Sequence, residues 1–168
     1  MKPLTQILAL ALIFSFTIVS CSNDDDGIYF DETNEIINVE NVTYTEIETE
    51  ILTLVNSYRK SINLSELSPL NIVSSVADGH TKYMIENDQI SHDNFDKRSQ
   101  SLMANAGAKS VAENVAYGYT SAESALQGWL NSDSHRSVIE NPHFTHFGIS
   151  TEQNSNGRNF FTHIFIKK

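Results

Sequence analysis

Three separated stretches of this 168-residue chain carry the side chains best suited to chemistry: Ser91-His92, Ala112-Glu113-Asn114, and Trp129-Leu130-Asn131-Ser132-Asp133-Ser134-His135-Arg136. Imidazole nitrogen and carboxylate oxygen are ligands for zinc and related divalent ions, and three protein ligands leave a position open for water. No local zinc motif such as His-Glu-x-x-His is present, so spacing alone does not bring the three together. Ser91 and Ser132 each stand near a histidine, yet no Gly-x-Ser-x-Gly elbow marks either as a nucleophile. Both read as turn or cap residues. The other histidines have blander readings: His80 lies on the apolar stripe of a helix, His143 is exposed, and His146 and His163 sit on or beside strands.

The elements that must position these groups follow from periodicity. Apolar residues at Ile47, Ile51, Leu54, Val55 and Tyr58 predict an amphipathic helix. Ser68-Pro69 reads as an N-cap followed by proline at the first helical position, opening a second helix that runs to about Asn87. Its buried stripe is expected to include Ile72, Val73, Val76, His80, Tyr83 and Met84. A third helix starts near Ser121 and carries Ala122, Ala125, Leu126, Trp129 and Leu130 inward. Strands are expected over Val111 to Tyr117, His146 to Thr151 and Asn159 to Ile166, the last two joined through Asn156-Gly157 as an antiparallel hairpin. His146 and His163 approach only if that register permits. Helices followed by strands with a helix between give an α+β class.

Together with Asn141-Pro142-His143-Phe144-Thr145-His146-Phe147-Gly148-Ile149 and Phe161-Thr162-His163-Ile164-Phe165, the ordered motifs resemble the CAP superfamily (cysteine-rich secretory, antigen five and pathogenesis-related proteins) in its bacterial, disulfide-free branch. The resemblance covers roughly residues 46 to 167 and implies a three-layer α-β-α sandwich. It also implies that His92, Glu113 and His135 meet in one cleft as ligands of a divalent metal such as zinc, with Glu113 the candidate catalytic residue. The chain departs from the family pattern in places. Many members carry a second acid three residues after the tryptophan, where this chain has Ser132; Asp133 next door is the candidate substitute. Ala112 replaces a glycine, and Asp133-Ser134 stands where the bacterial branch commonly has Pro-Gly. A glycosidase-like pair of carboxylates has only Glu113 placed by a motif.

The front of the chain gives an address. Lys2 precedes an apolar run from Ile7 to Val19, too short for an ordinary membrane-spanning helix, and Ile18-Val19-Ser20-Cys21 matches a lipobox. Residues 1–20 are therefore expected to be a lipoprotein signal peptide, and Cys21 the lipidated first residue of the mature chain. Cys21 is also the only cysteine, so no intramolecular disulfide forms and packing must hold the core. Between Cys21 and Glu50 there are ten acids and no Lys or Arg, whereas from Ile51 onward 11 acids meet 10 basic residues, a net of −1. The acidity thus belongs to a solvated tether over residues 21–45, and nucleic-acid binding loses its main electrostatic support. Asp24-Asp25-Asp26 resembles an acidic surface-export tag, and Ile36, Ile37, Val39 and Val42 form a β-prone cluster. One domain over residues 46–168 is expected, monomeric, lipid-anchored in the envelope, at an outer membrane or cell surface. Three functions stay open: a binding module for a metal or an envelope or lipid ligand, which is the leading expectation; a metal-assisted hydrolase; and a protein-interaction module with a vestigial cleft.

Overall fold

A computed structural model of the chain describes residues 42–168. The expected signal peptide, the Cys21 lipidation site and all but the last four residues of the tether lie outside these. Within them the order is α1 (Glu46–Ser61), β1 (Ser68–Pro69), α2 (Asn71–Glu86), α3 (Phe95–Ala106), β2 (Ser110–Tyr117), α4 (Ala122–Leu130), α5 (Asp133–Ile139), β3 (His146–Gln153) and β4 (Asn159–Lys167). No helix of the described residues is long and apolar enough to cross a membrane.

The strands form one sheet in the order β1-β3-β4-β2, with β1 parallel to β3 and the other two pairs antiparallel. Alternation along β4 divides the molecule into layers. Phe161 and Phe165 face Ile51, Val55, Leu126, Trp129 and Ile139 of α1, α4 and α5. Ile164 and Ile166 face Val73, Ala77, Leu102 and Ala106 of α2 and α3. The result is the α-β-α sandwich.

Helix α1 opens with a capping box, in which Glu48 N–H donates to Thr45 Oγ1 at 3.4 Å and Thr45 N–H donates to Glu48 Oε2 at 2.8 Å. The second oxygen of Glu48 accepts Thr151 N–H of β3 at 2.6 Å, so one buried carboxylate closes a helix start and covers a strand edge that β1 is too short to reach. Ser74 Oγ serves the next outward amide of that edge, Ile149 N–H, at 3.1 Å.

Two expectations are corrected here. Ser68-Pro69 does not cap α2. Ser68 N–H donates to Thr145 C=O and Leu70 N–H to Phe147 C=O, so the segment is a short parallel strand, and the proline falls where its missing N–H is not needed. Helix α2 starts later, after Leu70, without a side-chain cap. Its buried stripe is also rotated: Ser74, Ala77 and Thr81 are buried with Val73, His80 and Met84, while Ile72, Val76 and Tyr83 are half-buried. The cause is close approach to β3, since a Cβ on Gly148 would run into the Ser74 backbone nitrogen, leaving room only for small side chains at the contact. Finally, α3 and α5 are helices that the apolar periodicity does not predict; α3 is weakly apolar and enters through Asn94 at φ +58°, a left-handed conformation that no N-cap rule signals.

The hairpin of β3 and β4 forms as expected, with Gly157 at φ +70° in the turn. Its register pairs His146 with Ile166 and His163 with Ile149. The two histidines therefore face opposite sides of the sheet and do not meet. His163 is fully buried among Trp129, Phe147 and Phe165, and neither ring nitrogen has a partner among the described residues. Burial pushes its pKa down to about 3, so it stays neutral.

Candidate functional site

Glu113 and Asn114 are adjacent on β2, so their side chains leave on opposite faces of the sheet. Glu113 enters the layer of α2 and α3. There, Arg98 of α3 grips both oxygens, Nε to Oε2 at 2.8 Å and Nη2 to Oε1 at 2.7 Å. His92, in the loop before α3, places Nδ1 at 2.8 Å from the same Oε1. A carboxylate only accepts, so this nitrogen carries a proton. His92 is half exposed, with 51% of its side chain open against 1% for Glu113.

His80, on α2, completes the inner side. Its Nε2 donates to Ser91 C=O at 2.8 Å and lies 3.8 Å from Glu113 Oε1. The core reading for His80 holds for its burial, at 2% exposure, while its position makes it a neighbour of the acid as well. Burial lowers its pKa against the opposing pull of Glu113. For Glu113 burial acts upward, but the hydrogen bonds from His92 and Arg98 and the Arg98 charge outweigh it and hold the carboxyl below its ordinary value. Arg98 also donates through Nη1 to Asp93 C=O at 2.6 Å, and Tyr83 Oη donates to Asp93 Oδ2 at 3.3 Å, so the His92 loop is tied to both helices beside it.

Asn114 works on the other face. Its Nδ2 donates at 3.0 Å to the main-chain oxygen of His135 on α5. The His135 ring bonds through Nδ1 to Ser132 Oγ at 2.7 Å, and burial together with the nearby His92 lowers its pKa. The Glu-Asn pair thus anchors the two histidine segments from opposite sides of one edge strand.

The structure joins His92 to Glu113 by a direct hydrogen bond; His135 bonds to neither among the described residues. No group of three His, Cys, Asp or Glu side chains among those residues is arranged to hold a metal ion. Both oxygens of Glu113 already accept hydrogen bonds, from a guanidinium and an imidazole, so a cation at that carboxylate would stand against the Arg98 charge. Asp133 does not replace the missing second acid: it is exposed and ion-paired with Arg136 one helical turn away. Ser91 Oγ accepts Asp93 N–H, a turn contact, and Ser132 precedes α5. His143 is exposed. Sequence reasoning missed Arg98 and the part His80 plays. The available signal for Arg98 was physical: a carboxylate placed in mid-strand with apolar neighbours needs a counter-charge.

A family model described as "Cysteine-rich secretory protein family", CAP, matches residues 52–165. The chain belongs to the CAP family. Among relatives of this CAP domain, a Bacillus subtilis protein named "Uncharacterized membrane protein YlbC" is 33% identical over 129 residues, 74% of this chain and 35% of its own length. A second B. subtilis protein, YkwD, is 28% identical over 124 residues, 72% of this chain and 47% of its own. The chain therefore spans a third to a half of the length of the curated relatives it matches. Among solved structures, an extracellular protein containing an SCP domain from Bacillus anthracis is 30% identical with a TM-score of 0.64, covering 76% of this chain and 45% of that one. An outer surface protein from Borrelia burgdorferi has a TM-score of 0.68 at 21% identity, covering 76% and 96%, and speaks for the fold alone.

Proposed function

We propose that this CAP domain is a binding module at the extracytoplasmic face of the cell envelope, with a cleft over the β2 edge that holds a ligand without turning it over. The observation that carries the reading is the two-armed contact of Arg98 with Glu113. A general base needs a free lone pair aimed at its proton and a pKa drawn up toward neutrality. Glu113 is held away from both: Oε1 accepts from His92 and Arg98, Oε2 from Arg98, the side chain is 1% exposed, and its pKa lies on the low side. What the cleft offers instead are the half-exposed ring of His92 and the half-buried ring of His135.

Location has separate support. The relatives are named as a membrane protein and an extracellular protein. The lipobox ending at Cys21 and the acidic stretch behind it agree with a lipid-anchored chain at an outer membrane or cell surface.

Two experiments on the chain lacking residues 1–21 test the reading. Wild-type protein is incubated with envelope fractions and casein, and products are followed by mass spectrometry; turnover that disappears in Glu113→Gln establishes the hydrolase and overturns the binding module. Zinc calorimetry addresses the metal alternative, for which a structure described as NaASP2 with Zn2+, at 14% identity, supplies the choice of ion. Stoichiometric zinc uptake lost in both His92→Ala and His135→Ala establishes the metal site. At Glu113 itself a cation would have to compete with the Arg98 guanidinium, so the calorimetry reads what the two imidazoles hold.

A further inference from the structure

Among the described residues β2 is an outer strand of the sheet, and its ladder to β4 uses only half of its main-chain groups. Gly118 N–H donates to Asn159 C=O, which sets the parity of the ladder. Ala112, Asn114 and Ala116 accordingly exchange hydrogen bonds with Phe165, His163 and Phe161 of β4. The N–H and C=O of Val111, Glu113, Val115 and Tyr117 point away from the sheet. Among the described residues one of these outward groups has a partner, the C=O of Val115, which accepts Trp129 Nε1–H at 3.0 Å.

Along β2 the residues are half-buried from Ser110 to Ala112 and buried from Glu113 to Ala116. Glu113 as a whole keeps 8% of its exposure and its side chain only 1%, so what solvent reaches is the main chain. Its carboxylate is sealed inward by Arg98 and His92, while its outward N–H and C=O face the cleft.

We propose that the ligand of this cleft is an extended peptide that adds to the free edge of β2 over Val111 to Val115. The inference rests on the binding-module reading and names the ligand class. Outward N–H and C=O pairs recur at every second residue, roughly 6.6 Å apart, and another extended chain repeats complementary groups at that interval. The ladder ends at Val115, where the indole has taken the carbonyl. Electrostatics fit the same occupant. Arg98 and Glu113 cancel, so an uncharged amide backbone meets no net charge from the pair. A peptide side chain on the Glu113 face falls on the side of the half-exposed His92 ring, which favours a polar partner. The next side chain falls on the Asn114 face, toward α5 and His135.

The test uses the full chain in detergent micelles and a bead library of nine-residue linear peptides. Enriched peptides are resynthesised with each amide N-methylated in turn, and the protein's amide signals are followed by 15N NMR. Expected are losses of tenfold or more for methylation at alternate positions only, shifts at the Val111, Glu113 and Val115 amides, and a preference for a polar side chain over Ala at one position that His92→Phe removes. Enrichment of no peptide, binding indifferent to N-methylation, or unmoved β2 amides overturns the proposal. If phospholipid vesicles or purified glycan strands shift the His92 and His135 ring signals while peptides do not, the peptide is refuted and the binding module stands. Cleavage of an enriched peptide by wild type, lost in Glu113→Gln, refutes the binding module itself.

Discussion

Arg98 and Glu113 form a bidentate ion pair in which the carboxylate side chain is 1% exposed and the guanidinium side chain 10%. Parallel N–H···O bonds of this kind are short, charge-assisted and fixed in orientation. Removing the arginine leaves a buried carboxylate with imidazoles as its remaining polar side-chain neighbours.

Arg98→Ala should therefore destabilise the domain by about 3–5 kcal/mol in urea unfolding. Glu113→Gln in the same background should recover part of that loss, because the uncompensated charge is gone. Additive losses in the double variant would show that the pair is not coupled.

Acid should weaken the fold, and His163 should account for much of it. The unfolded chain takes up this proton near the ordinary histidine value of 6.5, the folded chain only near about 3. Between those values the unfolded state holds more protons, so stability falls as pH drops and is unaffected by this group above about 6.5. The full effect is on the order of 5 kcal/mol. His80 and His135 act in the same direction, and Glu113, with its lowered pKa, adds a loss further into the acid range. His163→Phe should flatten the decline between about pH 6.5 and about pH 4; an unchanged slope would assign it elsewhere.

Two glycines should answer differently to alanine. At Gly148 the new Cβ meets backbone, the Ser74 nitrogen first and then the Val73 carbonyl carbon at 2.6 Å, and the loss should reach the upper part of the range of about 1–3 kcal/mol for overpacking. At Gly128 it meets the Tyr119 ring, hydroxyl end first. A side chain can turn aside, and alanine gains about 1 kcal/mol of helix propensity, so Gly128→Ala should be milder. Thermal melts of the two variants decide it.

Helix ends and core can be ranked in one denaturation series. Trp129→Ala should cost about 3–5 kcal/mol, since the ring is 2% exposed and its Nε1 is bonded to Val115. Ser121→Ala removes a side chain that caps Ser124 N–H and should cost about 1 kcal/mol. Ser68→Ala should lie within about 0.5 kcal/mol of wild type, because only its main chain is used. A larger effect at Ser68 than at Ser121 would contradict these assignments.

Cys21→Ser should move the protein from the membrane fraction to the soluble fraction and abolish the acyl mass increment. Membrane partitioning that survives the substitution would rule out the lipid tether.

The residues themselves carried the family, the α+β class, three helices and three strands, because long apolar periods and turn residues such as Asn156-Gly157 are local signals. The candidate acid and histidines were also legible as motifs. What the sequence alone did not determine was their wiring. Whether Ser68-Pro69 opens a helix or lies along β3 depends on the carbonyls of Thr145 and Phe147, far along the chain. The stripe that α2 buries depends on how closely Gly148 lets the strand approach. Above all, Glu113 has the same identity as a metal ligand, a base or half of an ion pair. Only the fold brings Arg98 onto both of its oxygens, and in a desolvated position the nearest counter-charge decides what a carboxylate can do.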